Sequence, residues 1–450
     1  MGVTIAAPLG RHRLVASSLT ITGLTIVARL ATAARELLVA RQYGVSTDAD
    51  GYFVAVALPA VLASAVWIAL QVAAVPAEAS VRADGGTSND LLVPLVRSVG
   101  RRLGLVSLGI VVLSWPIVAA LGSGFDGHTA SLARGLLVIM APTVMLSGIS
   151  GVLSGSLTAQ RRFGMSVAGQ VINGVVAIVA FLALRDAMGI TAAAVGVLAG
   201  FVAEVVIIGL VVSLPWRAIL AFAKDRPHSA AISTAVAMAT PLVVATLVTS
   251  SSAIIDQGMA GTLPSGSVGA LAYASRIVLF AAIPLVAIST AVFPALADQI
   301  VDGDTALVRR QVAHRARQIV LAGVVLVPVV IIGGRFVVEQ IITSSSDTSV
   351  DTVVDTLSVY ALMLPAFGVS FLLLRVLTSL SRSGWVMWIA VASAAANFVG
   401  DLVLKGPFGL EGIAACTVIV QTAMCVALAV AVKVALAPAG SDRAQDYVET

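Results

Sequence analysis

Residues 50–77 read DGYFVAVALPAVLASAVWIALQVAAVPA, and after Asp50 no residue of the stretch is charged. A helix needs about 20 mainly apolar residues to cross the hydrocarbon core of a bilayer. This run is long enough, and its apolar residues follow one another without the period-two alternation of a barrel strand. The rest of the chain repeats the pattern. Of its 450 residues 59% are hydrophobic and 11% charged, and mean hydropathy is +1.03. An ordinary soluble domain carries about 25% charge. The balance excludes a soluble enzyme, a disordered chain and a coiled coil. It predicts an all-α polytopic membrane protein, because helices satisfy their own backbone groups in lipid.

Twelve stretches meet the length requirement: 14–41, 50–77, 98–121, 133–158, 164–184, 189–214, 230–254, 268–296, 316–334, 357–380, 384–404 and 408–436. Arg and Lys alternate between the connections, with 18 on one side, 5 on the other, and Arg29, Arg35, Arg276 and Arg375 inside spans. The positive-inside rule then places both termini in the cytoplasm, in a multi-pass protein of the cytoplasmic (plasma) membrane. Arg11 and Arg13 before an apolar run, with ATAA at 31–34, also fit a signal peptide. The length of that run and Arg29 within it favour a span.

An internal repeat divides the chain. VPAEA at 75–79 recurs as FPALA at 293–297; Val96, Arg97 and Pro116 match Val308, Arg309 and Pro328 at an offset of 212. Pro142 pairs with Pro365, and Asn173 with Asn397. The order predicts two pseudo-symmetric six-helix halves, 1–222 and 223–450, joined through the polar stretch 216–228. A parallel duplication of this kind is a transporter architecture, with the site expected between the halves near the midplane.

Cys416 and Cys425 are nine residues apart in one apolar segment, about 13 Å along a helix and too far for a disulfide. His12, His128, His228 and His314 are scattered, and Lys224, Lys405 and Lys433 do not fit a phosphate-binding loop. No cofactor, metal, ATP motif or nucleic-acid partner is expected.

Charges inside the membrane cost roughly 2.5–3.5 kcal/mol each and persist where they face water or a partner. The first span holds Arg29, Arg35 and Glu36; Arg276 and Arg375 lie in later spans. The plain alternative is an ion pair within a helix, or Arg35 snorkelling to the surface. Four intramembrane Arg and no Lys point to bidentate recognition of phosphate or carboxylate. The acidic candidates are Glu36, Asp50, Glu78, Glu204, Asp256 and Asp401. Asp50 also reads as a helix-dipole residue. Glu36, Glu204 and Asp256 are candidates for ion or proton coupling, and Glu204 reads equally well as a partner for an Arg.

Residues 28–59, ARLATAARELLVARQYGVSTDADGYFVAVALP, resemble the first two helices of the MurJ/MviN lipid II flippases of the multidrug/oligosaccharidyl-lipid/polysaccharide superfamily. Two Arg six apart, an acid after the second, a Gly-containing turn, an Asp and a Leu-Pro are met by Arg29, Arg35, Glu36, Gly44, Asp50 and Pro59. The run ending YASR at 273–276, with Phe293 and Pro294 downstream, is similar to that family as well. The resemblance implies a flippase for a polyprenyl-diphosphate-linked saccharide, working by alternating access in peptidoglycan synthesis and making or breaking no bond. It makes Arg29, Arg35, Asp50, Arg276 and Arg375 substrate-binding residues, with membrane lipids and cell-wall synthesis proteins as partners. Two features depart from the family. Residues 60–75 carry no Arg, and twelve spans are expected where fourteen are usual. A drug/cation antiporter of the same superfamily and a non-transporting scaffold for cell-wall enzymes are the alternatives.

Overall fold

The computed structural model describes residues 27–28, 30–220, 229–301, 305–341, 347–380 and 382–437, and every regular element among them is helical. The helices are α1 (30–43), α2 (Thr47–Ala83), α3 (Ser88–Val112), α4 (Ser114–Leu121), α5 (Gly127–Met140), α6 (Pro142–Ala159), α7 (Phe163–Met188) and α8 (Thr191–Val211). There follow α9 (Trp216–Leu220), α10 (Ser229–Ala260), α11 (Ser267–Ala281), α12 (Ile283–Val301), α13 (Thr305–Ile341), α14 (Asp347–Ala361), α15 (Leu364–Ser379) and α16 (Ser383–Ala435).

Among the described residues eight helices are long and apolar enough to span a membrane, or ten when each bent pair counts as one span. Half of the first expected span, 14–41, lies outside the described residues, and the rest forms most of α1. The other eleven expected stretches all fall on helices, but several are broken. α3 and α4 meet at 64°, and α14 and α15 at 44°. Pro142 and Pro365 open α6 and α15. Proline lacks the N–H that a continuing helix would use, so it is tolerated in a first turn and marks the break. α16 runs on for 53 residues with one non-helical position, Gly409, at φ 57° and ψ −132°. A left-handed φ is open to glycine at little cost, and here the chain doubles back: Cys416 Sγ donates to the Asn397 carbonyl at 3.4 Å. The stretches 384–404 and 408–436 are thus the two arms of a hairpin.

The turns are closed by short polar side chains. Ser46 Oγ accepts from the Ala49 N–H at the start of α2. Asp126 Oδ1 accepts from the Thr129 N–H at 3.0 Å at the start of α5. Hydrogen bonds from Thr129, side chain first and backbone second, hold this carboxyl below the usual range. Glu78, almost fully buried, accepts from Arg82, Ser88 and Gln160 and ties the end of α2 to α3 and α6.

The helices form two compact units, Met1–Leu247 and Val248–Thr450. The division falls within α10, because Ala235 and Ala239 pack into the core of the first unit with residues of α2, α3, α6 and α8. In that unit small residues let backbones approach. A Cβ on Gly151 would stand 2.7 Å from the Trp67 carbonyl, and one on Gly155 2.6 Å from the Gln71 carbonyl, so α6 lies close against α2. In the second unit Ser289 Oγ donates to the Gly368 carbonyl at 3.1 Å, and Gln421 Nε2 to Ser370 Oγ at 3.1 Å, pinning α15 to α12 and α16. Leu105, Trp115, Ile332 and Trp388 are each at least two-thirds exposed. On a soluble monomer such side chains would be a liability; on spanning helices they meet lipid.

Candidate functional site

In the first unit the arginine-bearing helix α1 packs on α7, where a Cβ on Gly174 would meet Ala31 Cβ at 2.7 Å. Arg29 lies outside the described residues. Arg35 Nη2 reaches Oε1 of the adjacent Glu36 at 3.4 Å, and both side chains are mostly buried. The Nε of Arg35 is buried with no hydrogen-bond partner among the described residues. One long contact leaves most of the guanidinium's five donors uncommitted, so the pair does not neutralise Arg35 in the manner of a bidentate bridge. Asp50 is buried in the first turn of α2, while Ser46 provides the side-chain cap. The helix dipole favours a carboxylate there, but capping is performed by another residue.

Glu204, on α8, is buried and reached from two helices. Ser150 Oγ on α6 donates to its Oε1 at 2.5 Å, and Asn173 Nδ2 on α7 donates to its Oε2 at 2.7 Å. Trp67 Nε1 on α2 donates in turn to Ser150 Oγ at 3.3 Å. Among the described residues the hydrogen-bond partners of Glu204 are neutral.

In the second unit Asp256 on α10 is buried at the centre of a polar cluster. Asn397 Nδ2 donates to its Oδ1 at 2.5 Å, and Thr417 Oγ1 and Tyr360 Oη donate to its Oδ2 at 2.9 and 3.0 Å. Asn397 also donates to Asp401 Oδ2 at 3.2 Å, so one amide bridges two carboxylates. Asp401 Oδ1 and Asn397 Oδ1 are buried with no hydrogen-bond partner among the described residues. Two carboxylates cannot both stay ionised in a dry interior without a compensating positive charge. The oxygens gathered here are those of two carboxylates, an amide carbonyl and two hydroxyls. Oxygen ligands of this kind suit a hard cation or a proton shared between the acids. Asn397 and Thr417 also line a cavity of about 230 Å³ within this unit, whose other walls include Phe371 and Ser370.

Phe371 connects that cavity to Arg375. The Arg375 guanidinium lies 5.3 Å from the Phe371 ring centre and 5.6 Å from that of Phe293 on α12. The π faces of both rings attract the cation. Arg276, on α11, is half-buried and has interactions of its own. Arg375, Phe293 and Phe371 are thus brought together, as are Asp256 and Asp401. Sequence reading missed Ser150, Tyr360, Thr417 and the two phenyl rings as parts of these centres. Asn173 and Asn397 had a signal in their matched place in the repeat, as Phe293 had in FPALA and Phe371 in its four-residue spacing from Arg375.

A family model described as Lipid II flippase MurJ matches residues 39–442. A curated protein named Lipid II flippase MurJ, from Burkholderia cenocepacia, is 28% identical over 308 residues, 64% of this chain. That match spans 58% of the relative's length. A solved structure of Lipid II flippase MurJ in an inward closed conformation superposes with a TM-score of 0.76 at 19% identity, covering 92% of this chain and 87% of the other. An inward-facing multidrug resistance MATE family transporter of the MOP superfamily gives 0.75 at 14% identity, covering 92% and 94%. At these identities the two structures establish the fold, an all-α multi-pass transporter fold.

Proposed function

The chain belongs to the lipid II flippase MurJ family, and on that premise we propose that it carries a polyprenyl-diphosphate-linked saccharide across the cytoplasmic membrane. The cargo is a lipid II-like precursor of peptidoglycan, and transport proceeds by alternating access of two lobes, 1–222 and 223–450, with both termini cytoplasmic. No bond is made or broken. Arg29, Arg35 and Arg276 hold the diphosphate, Asp50 orders the entrance of α2, and Arg375 assists. Asp256 and Asp401 take up the coupling ion, and Glu36 balances Arg35. Enzymes that make and use lipid-linked precursors are the expected partners.

The observation that carries this reading is the family match over residues 39–442. The placement of Arg375 between two aromatic rings supports an anionic headgroup, since a guanidinium is suited to bidentate recognition of phosphate. One observation favours a drug antiporter instead, the similarity in fold to a MATE transporter. Cationic drugs would be repelled by the same guanidinium. Proteoliposomes holding the purified chain distinguish the two: fluorescent lipid II should gain access to an externally added headgroup reagent, and a cationic dye should not be exported. Dye export without headgroup translocation would favour the antiporter, and neither activity would favour a scaffold.

A further inference from the structure

The first unit buries a second acid that the proposed ion site does not use. Glu204 has about 2% of its surface exposed. Each of its oxygens is already bonded, Oε1 by Ser150 and Oε2 by Asn173. Both donors are neutral, and among the described residues no cation is paired with the carboxylate. The ionisable groups on the surrounding helices are engaged elsewhere or sit near helix ends. α6 has none; α7 has Arg185 and Asp186, paired with each other at 3.6 Å; α5 has His128 and Arg134, the latter on Ser114. α2 has Asp48, Asp50, Glu78 and Arg82, the last two paired at 2.8 Å. On α1, Arg35 contacts Glu36, and Arg41 and Tyr43 lie at the helix end. None of these is a partner of Glu204.

An ionised carboxylate with only neutral donors is costly inside a membrane unit. A metal ion would not resolve it, because the site offers one carboxylate whose oxygens face an amide N–H and a hydroxyl. The second unit differs: there two acids meet, and two buried oxygens lack a donor. A proton is the compensating charge the first site can accept. Ser150 Oγ has two acceptor positions, and Trp67 Nε1 occupies one. With Glu204 protonated, the acid O–H donates to the other, and the serine hydroxyl hydrogen turns to its own helix backbone. Gly200 leaves room for the Asn173 side of this arrangement, since a Cβ there would stand 2.8 Å from Asn173 Oδ1.

We propose that Glu204, with Ser150, Asn173 and Trp67, is a proton-binding site of the first unit, separate from the Asp256 centre. Loss or gain of the proton reverses the Ser150 bond and so reaches Trp67 on α2, the helix whose first turn holds Asp50. The site stands whether or not the cargo is lipid II.

Infrared spectroscopy of the purified full chain in lipid nanodiscs tests it without requiring transport. Wild type should show a protonated-carboxyl C=O band that shifts when H₂O is exchanged for D₂O. Glu204→Gln should lose that band, Asp256→Asn should keep it, and Ser150→Ala should move it by removing the hydrogen-bond partner. A Glu204→Gln spectrum identical to wild type would overturn the proposal. Should Glu204→Gln fail to fold, a Ser150→Ala band at the wild-type position overturns it equally.

Discussion

Asn173 and Asn397 hold matching places in the two halves of the repeat, yet the acids they bind differ in number and in what they leave unsatisfied. Asn173 meets one carboxylate, Glu204, whose two oxygens are both bonded. Asn397 bridges two, Asp256 and Asp401, and one oxygen each of Asn397 and Asp401 has no donor among the described residues. The same helix position therefore supports two kinds of site. A saturated single acid has room for a proton and nothing larger. A pair of acids with spare oxygens has room for a hard cation. On the readings proposed above, the repeat supplies the frame and the count of carboxylates distinguishes the ligands.

The largest effect expected from breaking this contrast comes from Asp256→Ala. Three donors, on Asn397, Thr417 and Tyr360, then lose their acceptor. Each stranded buried group costs about 1–3 kcal/mol, so unfolding stability should fall by roughly 3 kcal/mol or more, and headgroup translocation should drop to background. Thermal unfolding and flipping by the same preparation check both. If the change leaves stability within half a kcal/mol of wild type, roughly the range of a surface substitution, the cluster is not the anchor described above.

A smaller effect sharpens the contrast through the ligand. Sodium at about a hundred times its dissociation constant should stabilise the wild type by about 2.7 kcal/mol, read as an upward shift of the unfolding transition. Asp401→Asn should abolish the shift and Glu204→Gln should retain it. The opposite pattern would move the cation site to the first unit. The smallest of the three compares the amides themselves. Asn397→Ala removes two hydrogen bonds and Asn173→Ala one, so destabilisations of roughly 2 and 1 kcal/mol are expected at about 1 kcal/mol per bond. Equal values in chemical unfolding would mean that the bridge across the two acids contributes nothing.

The spans were legible because hydropathy is a sum over about 20 residues and survives local irregularity. Their breaks were only partly legible. Pro142 and Pro365 mark helix starts, but Pro328 lies inside the continuous α13, since neighbouring groups in a membrane protein can take over the freed carbonyl. The acids were visible for a thermodynamic reason, the expense of any charge in an apolar run. Their donors were not. Spanning helices are rich in hydroxyls that bond their own backbone, as Thr417 does with the Ile413 carbonyl, and nothing in the chain distinguishes the few that turn to a carboxylate. Phe293 was likewise hidden as a partner of Arg375, because only the packing of α12 on α15 brings a ring 82 residues away to its guanidinium. Phe371, four positions before Arg375 on one helix, was within reach of a spacing argument.

The anionic cargo is tested most directly at Arg276, by headgroup translocation of fluorescent lipid II in proteoliposomes. Arg276→Ala should fall to the background of protein-free vesicles. Arg276→Lys keeps the charge but loses the planar donor fork, and should fall well below wild type while staying above background. An Arg276→Ala protein that flips lipid II at the wild-type rate would contradict the assignment of this residue to the diphosphate, and with it the arginine-held headgroup.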